Sequence, residues 1–375
     1  MARKLIRVWL ILTILIFSSI SIYADEDVQG EFFLKNLVIN GEKIVNYNLQ
    51  YPFFMYNNTT YIPLTDDMCK ICGFTVEMDG DSRTLKLTKT TSTQKQLTHN
   101  WCKCDAKDQK VKVVSNIKVV AYAAGQTTKD NKTAAETSSA IGITAGTGGD
   151  TSEDAQTLCE ELDLGGLPVL KNGNYYYLPI RVFANSELFD WDLHFDPYYG
   201  ICLSTNSNVS AKSYRDEAEI LYNKGLVKFI QTYNSSISTT NAQEMVFLFK
   251  RAGTINGVDE KLLMAIAQKE SKFNVSATAR GGARGLMQIM PDTARGMGVD
   301  PSKLYDAKTN IDLGAYYIGQ RITAYNGNLT LALSAYNQGS AKVNRGTHST
   351  AYAKKILAAY DSLNAFLNTQ GYILK

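Results

Sequence analysis

Residues 268–290 read QKESKFNVSATARGGARGLMQIM, and this stretch decides how the C-terminal part of the chain folds. Just upstream, Leu262, Leu263, Ala265, Ile266 and Ala267 mark the apolar face of a helix that runs into an acid, Glu270. The chain then turns glycine-rich at Gly281, Gly282 and Gly285 and returns as Leu286-Met287-Gln288. An ionised carboxylate against hydrocarbon is costly, so the pKa of Glu270 is expected to rise and hold the proton on near neutrality, as a general acid requires. The glycines let backbone approach closely and open a groove beside the acid. A Gln amide both donates and accepts, which suits sugar hydroxyl and acetamido groups. A Glu at a helix end is usually a solvated surface residue, so Glu270 alone decides nothing.

Outward from that stretch, a helical period governs everything past residue 241. Helices are expected at about 242–252, 259–270, 285–297, 310–325, 329–336 and 350–366. Asp259 is placed to cap the second, and Asn310 or Thr309 the fourth. Residues 210–236 read as a helix leading into this region. Upstream the period is that of strands. Tyr61-Ile62-Pro63-Leu64, Phe74 to Asp79 and Leu85-Lys86-Leu87 recur as Tyr177-Leu178-Pro179-Ile180, Trp191 to Asp196 and Ile201-Cys202-Leu203. Each copy reads as strand, turn, helix and hairpin, and two copies can share one core. Between them, residues 127–157 are mostly Thr, Ser, Ala, Gly, Lys and Asp, too polar to bury a core, and are expected to form a flexible insertion at about 123–160.

Among 375 residues, 45% are hydrophobic and 20% charged, as in an ordered protein of two or three domains. Residues 25–240 hold 20 Lys/Arg against 27 Asp/Glu, whereas residues 241–375 hold 16 against 9, a basic balance that suits an anionic polymer. Residues 1–24 join a basic start (Arg3, Lys4, Arg7) to an apolar run ending at Tyr23-Ala24, a signal peptide that marks the chain for export. A membrane is expected only through that segment, if it stays uncleaved. The six cysteines (Cys69, Cys72, Cys102, Cys104, Cys159, Cys202) permit disulfides, a four-thiolate zinc site or buried thiols. His99, His194 and His348 are scattered and there is no phosphate loop, so no metal, no cofactor and no nucleic acid is expected.

Three later features make the pattern recognisable: Asn310-Ile311-Asp312-Leu313-Gly314, Ala335-Tyr336-Asn337 and Tyr352. With Glu270-Ser271 and Gly285-Leu286-Met287-Gln288-Ile289-Met290-Pro291, they resemble the catalytic domain of soluble lytic transglycosylases, with its goose-type lysozyme-like fold, over about residues 241–365. Gln338 departs from that pattern, where Ala or Val is common, and Ala351 stands where Arg is frequent. The resemblance implies cleavage of peptidoglycan glycan strands between N-acetylmuramic acid and N-acetylglucosamine, leaving a 1,6-anhydro end. It implies Glu270 as acid and then base, Tyr352 as its orienting partner, and Ser271, Met287, Gln288, Tyr336 and Asn337 as substrate-binding residues. Most glycosidases use two carboxylates; here none of the other acids of this region sits in a motif position facing Glu270, which fits a lyase. A muramidase on the same scaffold would have to use Asp292 or Asp312. A non-catalytic wall-binding protein is the third reading.

The upstream repeat resembles the N-terminal-like domain of copper amine oxidases, a module of exported proteins of Gram-positive bacteria, without their copper site. It implies a binding or spacer role, toward the cell wall or a secretion apparatus. The expected architecture is thus multidomain: a signal peptide (1–24), an α+β module of two strand–helix–hairpin copies (30–208), a helical connector (209–240) and an all-α lysozyme-like catalytic domain (241–366).

Overall fold

The structure, a computed structural model, describes residues 26–90, 109–124 and 158–373. The export segment, the Cys102-x-Cys104 pair and the central part of the expected insertion lie outside the described residues. Two compact units are present. The first comprises the described residues up to 33, with 37–193 and 203–211; the second comprises 34–36, 194–202 and 212–373.

The strands are β1 (Asp27–Phe32), β2 (Asn36–Ile39), β3 (Glu42–Ile44), β4 (Phe54–Tyr56), β5 (Thr59–Pro63), β6 (Phe74–Asp79), β7 (Thr84–Lys89), β8 (Gln109–Val114), β9 (Lys118–Tyr122), β10 (Cys159–Glu161), β11 (Val169–Asn172), β12 (Tyr175–Pro179), β13 (Asp192–Asp196) and β14 (Gly200–Ser204). They form a closed barrel, β1-β4-β5-β12-β11-β8, and two four-stranded sheets, β10-β9-β7-β6 and β13-β14-β2-β3. Two short helices, α1 (Asp66–Cys72) and α2 (Arg181–Asn185), follow β5 and β12.

The repeat read from the sequence therefore occupies equivalent elements: β5-α1-β6-β7 and β12-α2-β13-β14. The two copies meet through their matching motifs. Pro63 pairs with Tyr177, Ile62 with Leu178 and Tyr61 with Pro179, a register symmetric about Ile62 and Leu178. Flanking bonds run from Leu64 N–H to Tyr176 O and from Ile180 N–H to Thr60 O. Antiparallel pairs alternate, so both prolines fall at positions where no N–H is required. Phe54, Tyr61, Val111, Leu170 and Tyr177 fill the barrel. Barrel closure was not foreseen, because it depends on β1, β4, β8 and β11, which lie outside the repeat.

Cys69, Cys72 and Cys202 are buried thiols and Cys159 an exposed one, with no disulfide among the described residues. Burial pushes the Cys69 and Cys72 thiols up, and Cys202 to about 11.

The second unit is helical: α3 (Glu217–Tyr233), α4 (Thr239–Asn256), α5 (Glu260–Ser271), α6 (Pro291–Gly296), α7 (Ala307–Ala324), α8 (Leu329–Gln338), α9 (Ser340–Asn344) and α10 (Ala351–Thr369). Asp259 caps α5, accepting from Lys261 N–H at 2.8 Å, as expected. The cap of α7 is Asp306, not Asn310 or Thr309: its carboxylate accepts from Thr309 N–H at 2.7 Å, and the helix starts three residues early. Residues 285–290 are not helical. They form a loop held by side chains, and helix resumes only at Pro291, whose fixed φ suits the first helical position.

Residues 262–267 of α5 are buried on every side, so this helix is central rather than amphipathic. Leu226, Val227, Phe229 and Ile230 of α3 share its core with Leu363 and Leu367 of α10. α3, read as part of a connector, packs into the core of the helical unit, whose continuous helical part runs from 212. Among the described residues no helix is long and apolar enough to cross a membrane.

Candidate active site

Glu270 lies in the last turn of the central helix. α5 stops where Lys272 and Phe273 both take left-handed φ (52° and 60°). Phe273 is fully buried, and its N–H bonds back to Ala267 O at 3.4 Å. This turn throws the chain into the 274–289 loop with the acid at its start.

Side chains fix that loop. Asn310, fully buried on α7, accepts from Met287 N–H at 2.7 Å and donates to Arg284 O and Leu304 O, each at 2.9 Å. Gly285 (φ 75°) passes so close that a Cβ there would sit 2.2 Å from Leu304 O and 2.3 Å from Asn310 Nδ2. The glycine read as a groove-opener is therefore required by a close approach. Ser271 Oγ lies 2.8 Å from Leu286 O, which ties the end of α5 to the same loop.

The Tyr352 hydroxyl of α10 donates to Glu270 Oε1 at 2.6 Å. The Tyr352 ring stacks on Tyr336 of α8 with centroids 6.4 Å apart and planes 10° apart. Tyr336 in turn donates to Met287 O at 2.9 Å and meets Tyr317 edge-on at 5.3 Å. The Arg321 guanidinium lies 3.1 Å over the Tyr317 ring. Burial raises the pKa of Glu270; the Tyr352 hydrogen bond and, more weakly, the Lys355 charge pull against it, and burial prevails. Burial and the neighbouring carboxyl push the Tyr352 phenol far up, so it stays a donor.

The structure brings Glu270, Tyr352, Tyr336 and the Met287 backbone together but redistributes the roles expected of their neighbours. The Met287 side chain does not line a groove. It is fully buried against Gly314, where a Cβ would lie 2.3 Å from its Sδ; the backbone of Met287 is what the site uses. The Ser271 hydroxyl is engaged by the loop. Gln288, at φ 49°, spends its Nε2 on Ala277 O (3.1 Å) and Gly285 O (2.9 Å), so this end of the amide holds the loop. Asn337 is exposed. Asn310 was missed as a site organiser. Its signal was a polar residue on the buried face of a helix, where an amide must find partners or be lost.

No carboxylate among the described residues acts on Glu270. Asp292 pairs with Arg295 on the surface, and Asp312 pairs with the buried Arg251 and with Lys308. The described residues also hold no group of three His, Cys, Asp or Glu that could bind a metal ion. The arrangement is one half-buried carboxyl with a raised pKa and a phenol donor fixed on it. It can give a proton to a bound oxygen and take one back.

Comparison with known proteins places this site in a familiar setting. Residues 247–358 match the Transglycosylase SLT domain, and this domain contains Glu270 and Tyr352. The soluble lytic murein transglycosylase of Escherichia coli is 33% identical over 135 residues, 34% of this chain and 21% of that protein. Membrane-bound lytic murein transglycosylase C of Edwardsiella ictaluri is 36% identical over 120 residues, 28% of this chain and 33% of that protein. The chain thus spans only about a fifth to a third of the length of these relatives. Both come from Gram-negative bacteria, so they lend no support to a Gram-positive origin. Among solved structures, a lytic transglycosylase of Pseudomonas aeruginosa (22% identical, TM-score 0.30) covers 44% of this chain and 32% of its own. The 70 kDa soluble lytic transglycosylase of Escherichia coli (23%, TM-score 0.30) covers 42% and 32%.

Proposed function

We propose that the helical unit is a peptidoglycan lytic transglycosylase in which Glu270 acts first as acid and then as base. The observation that carries this reading is a single half-buried carboxyl, raised in pKa, held at 2.6 Å by a phenol inside an SLT domain. Protonated Glu270 gives its proton to the glycosidic oxygen between N-acetylmuramic acid and N-acetylglucosamine as the bond to C1 breaks. The muramic acetamido oxygen covers C1, so no second protein carboxylate is needed. Glu270, now a carboxylate, takes the proton from the C6 hydroxyl as that oxygen closes on C1 and displaces the acetamido oxygen. The product is a 1,6-anhydro end. Tyr352 orients the carboxyl and steadies its charged form between the two steps. The Gln288 Oε1 and exposed Asn337 hold polar groups of the glycan, with Tyr336 shaping the wall beside them.

This reading includes export of the chain and a role for the sheet-rich unit in placing the enzyme in the cell wall. Supports are the basic-then-apolar start of the sequence and the resemblance of the repeat to the copper amine oxidase N-terminal-like module.

The test is digestion of purified peptidoglycan followed by mass spectrometry of the soluble products. Anhydro-muropeptides from wild type, reduced about a thousandfold by Glu270→Gln, are the expected result. Reducing ends instead would reassign the site to a muramidase. No products from a folded wild-type chain would leave only wall binding.

A further inference from the structure

Gln338 is one of the two residues that depart from the pattern this chain resembles, and its side chain is engaged at both its nitrogen and its oxygen. It ends α8, one residue before Gly339, whose φ of 84° terminates the helix. From there the amide crosses to Ser349 and binds both of its backbone groups. Nε2 donates to Ser349 O at 2.7 Å, and Oε1 accepts from Ser349 N–H at 3.0 Å. Alanine or valine at this position could make neither bond.

What the amide holds is the entry to α10. Thr350, at the N-cap, makes no side-chain cap bond. The Ala351 N–H turns instead to Ser349 Oγ at 3.2 Å, so the first turn of α10 rests on Ser349. Tyr352 lies in that turn. A helix end without a side-chain cap frays readily, and fraying here would carry the phenol off Glu270. The ring stack of Tyr336 on Tyr352 joins α8 to α10 on the side of the site, and the amide joins them one residue past Asn337.

We propose that Gln338 is a positioning residue for the chemistry at Glu270: by clamping the Ser349 backbone to the end of α8, it fixes the start of α10 and holds the Tyr352 phenol on the carboxyl. This rests on the acid–base role proposed above for Glu270. The clamp touches no substrate and acts only through Tyr352. The groups that act on Glu270 are Tyr352 and Lys355 of α10, and Glu270 in turn acts on Tyr336 of α8; Gln338 itself is uncharged.

The experiment compares the full chain as wild type, Gln338→Ala, Gln338→Glu, Tyr352→Phe, the double variant Gln338→Ala/Tyr352→Phe and, as control, Glu270→Gln. The readouts are kcat, KM and the pH profile for release of anhydro-muropeptides. Gln338→Ala is expected to lower kcat about tenfold with KM within about twofold. The alkaline limb of kcat/KM should move to higher pH, because the bond that favours the charged carboxyl is weakened. Gln338→Glu keeps an acceptor for Ser349 N–H but opposes a carboxylate to Ser349 O, and should match the alanine variant. In the Tyr352→Phe background, Gln338→Ala should cost less than about twofold. An unchanged pH profile, a loss confined to KM, or the same tenfold loss with and without the phenol would each overturn the proposal. If instead wild type and Glu270→Gln release equal product, the acid–base reading itself fails, which is a separable outcome.

Discussion

Glu270 stands between two opposing influences, and their balance can be measured at the level of single residues. Burial disfavours its charge; the Tyr352 phenol, at 2.6 Å, favours it. Tyr352→Phe should therefore raise the carboxyl pKa further and move the alkaline limb of kcat/KM upward. A hydrogen bond to a charged group is worth about 1.5–3 kcal/mol, so a loss of roughly tenfold to a hundredfold in kcat is expected from initial rates. The same raised pKa has a consequence for stability. Between the ordinary value of 4.5 and the raised folded value, the native state keeps a proton that the unfolded chain has lost. Stability contributed by this group is thus complete at low pH and declines as pH rises through that window. Glu270→Gln should melt above wild type at pH 7, and the difference should vanish below about pH 4. An equal difference at both pH values would mean that the carboxyl is not desolvated in the folded chain.

At the scale of elements, the site is assembled by a central helix, a loop and two flanking helices, and the loop is the vulnerable part. Its internal backbone bonds, such as Arg284 N–H to Ile289 O and back, shape it, but Asn310 from α7 is what anchors it to the helices. Asn310→Ala would strand the Met287 N–H and the Leu304 carbonyl in a buried place, while the Arg284 carbonyl keeps its bond from the Ile289 N–H. An unmet buried group costs about 1–3 kcal/mol, so a destabilisation on the order of 3 kcal/mol is expected in urea titration, with activity lost in the fraction that stays folded. A change under about 0.5 kcal/mol would show that water replaces the amide. Reading 285–297 as one helix failed for the same reason: local apolar spacing was correct for Leu286 and Ile289, but Gly285 and Gln288 take positive φ because partners distant in sequence hold them there.

For the whole molecule, the boundary of the helical unit matters most. Leu226, Val227, Phe229 and Ile230 are buried in the same core as α5 and α10. A chain beginning at residue 241 would lose all four. At about 1.5–3 kcal/mol for each buried side chain, the loss is on the order of 6–12 kcal/mol, comparable with the whole stability of a domain. Such a chain should melt far below one beginning at 212, or fail to fold, as scanning calorimetry would reveal. Equal melting would place α3 outside the cooperative unit. The repeat was legible because each copy announces itself by Tyr-x-Pro and an alternating hairpin; the barrel was not, since closure needs strands that carry no such mark.

By itself the sequence determined the helical period beyond 241, the cap at Asp259, the acid at the end of an apolar helix and the paired motifs upstream. These are set by neighbours within a few residues, where periodicity and capping act. Only the tertiary structure decided that Met287 contributes its carbonyl rather than its side chain, that Ser271 and Gln288 are partly consumed in holding the loop, and that Asn310 and Gln338 organise the site. Those roles depend on groups as far as 49 residues apart being brought within hydrogen-bond distance of one another, and a hydrogen bond across such a separation leaves no trace in local spacing.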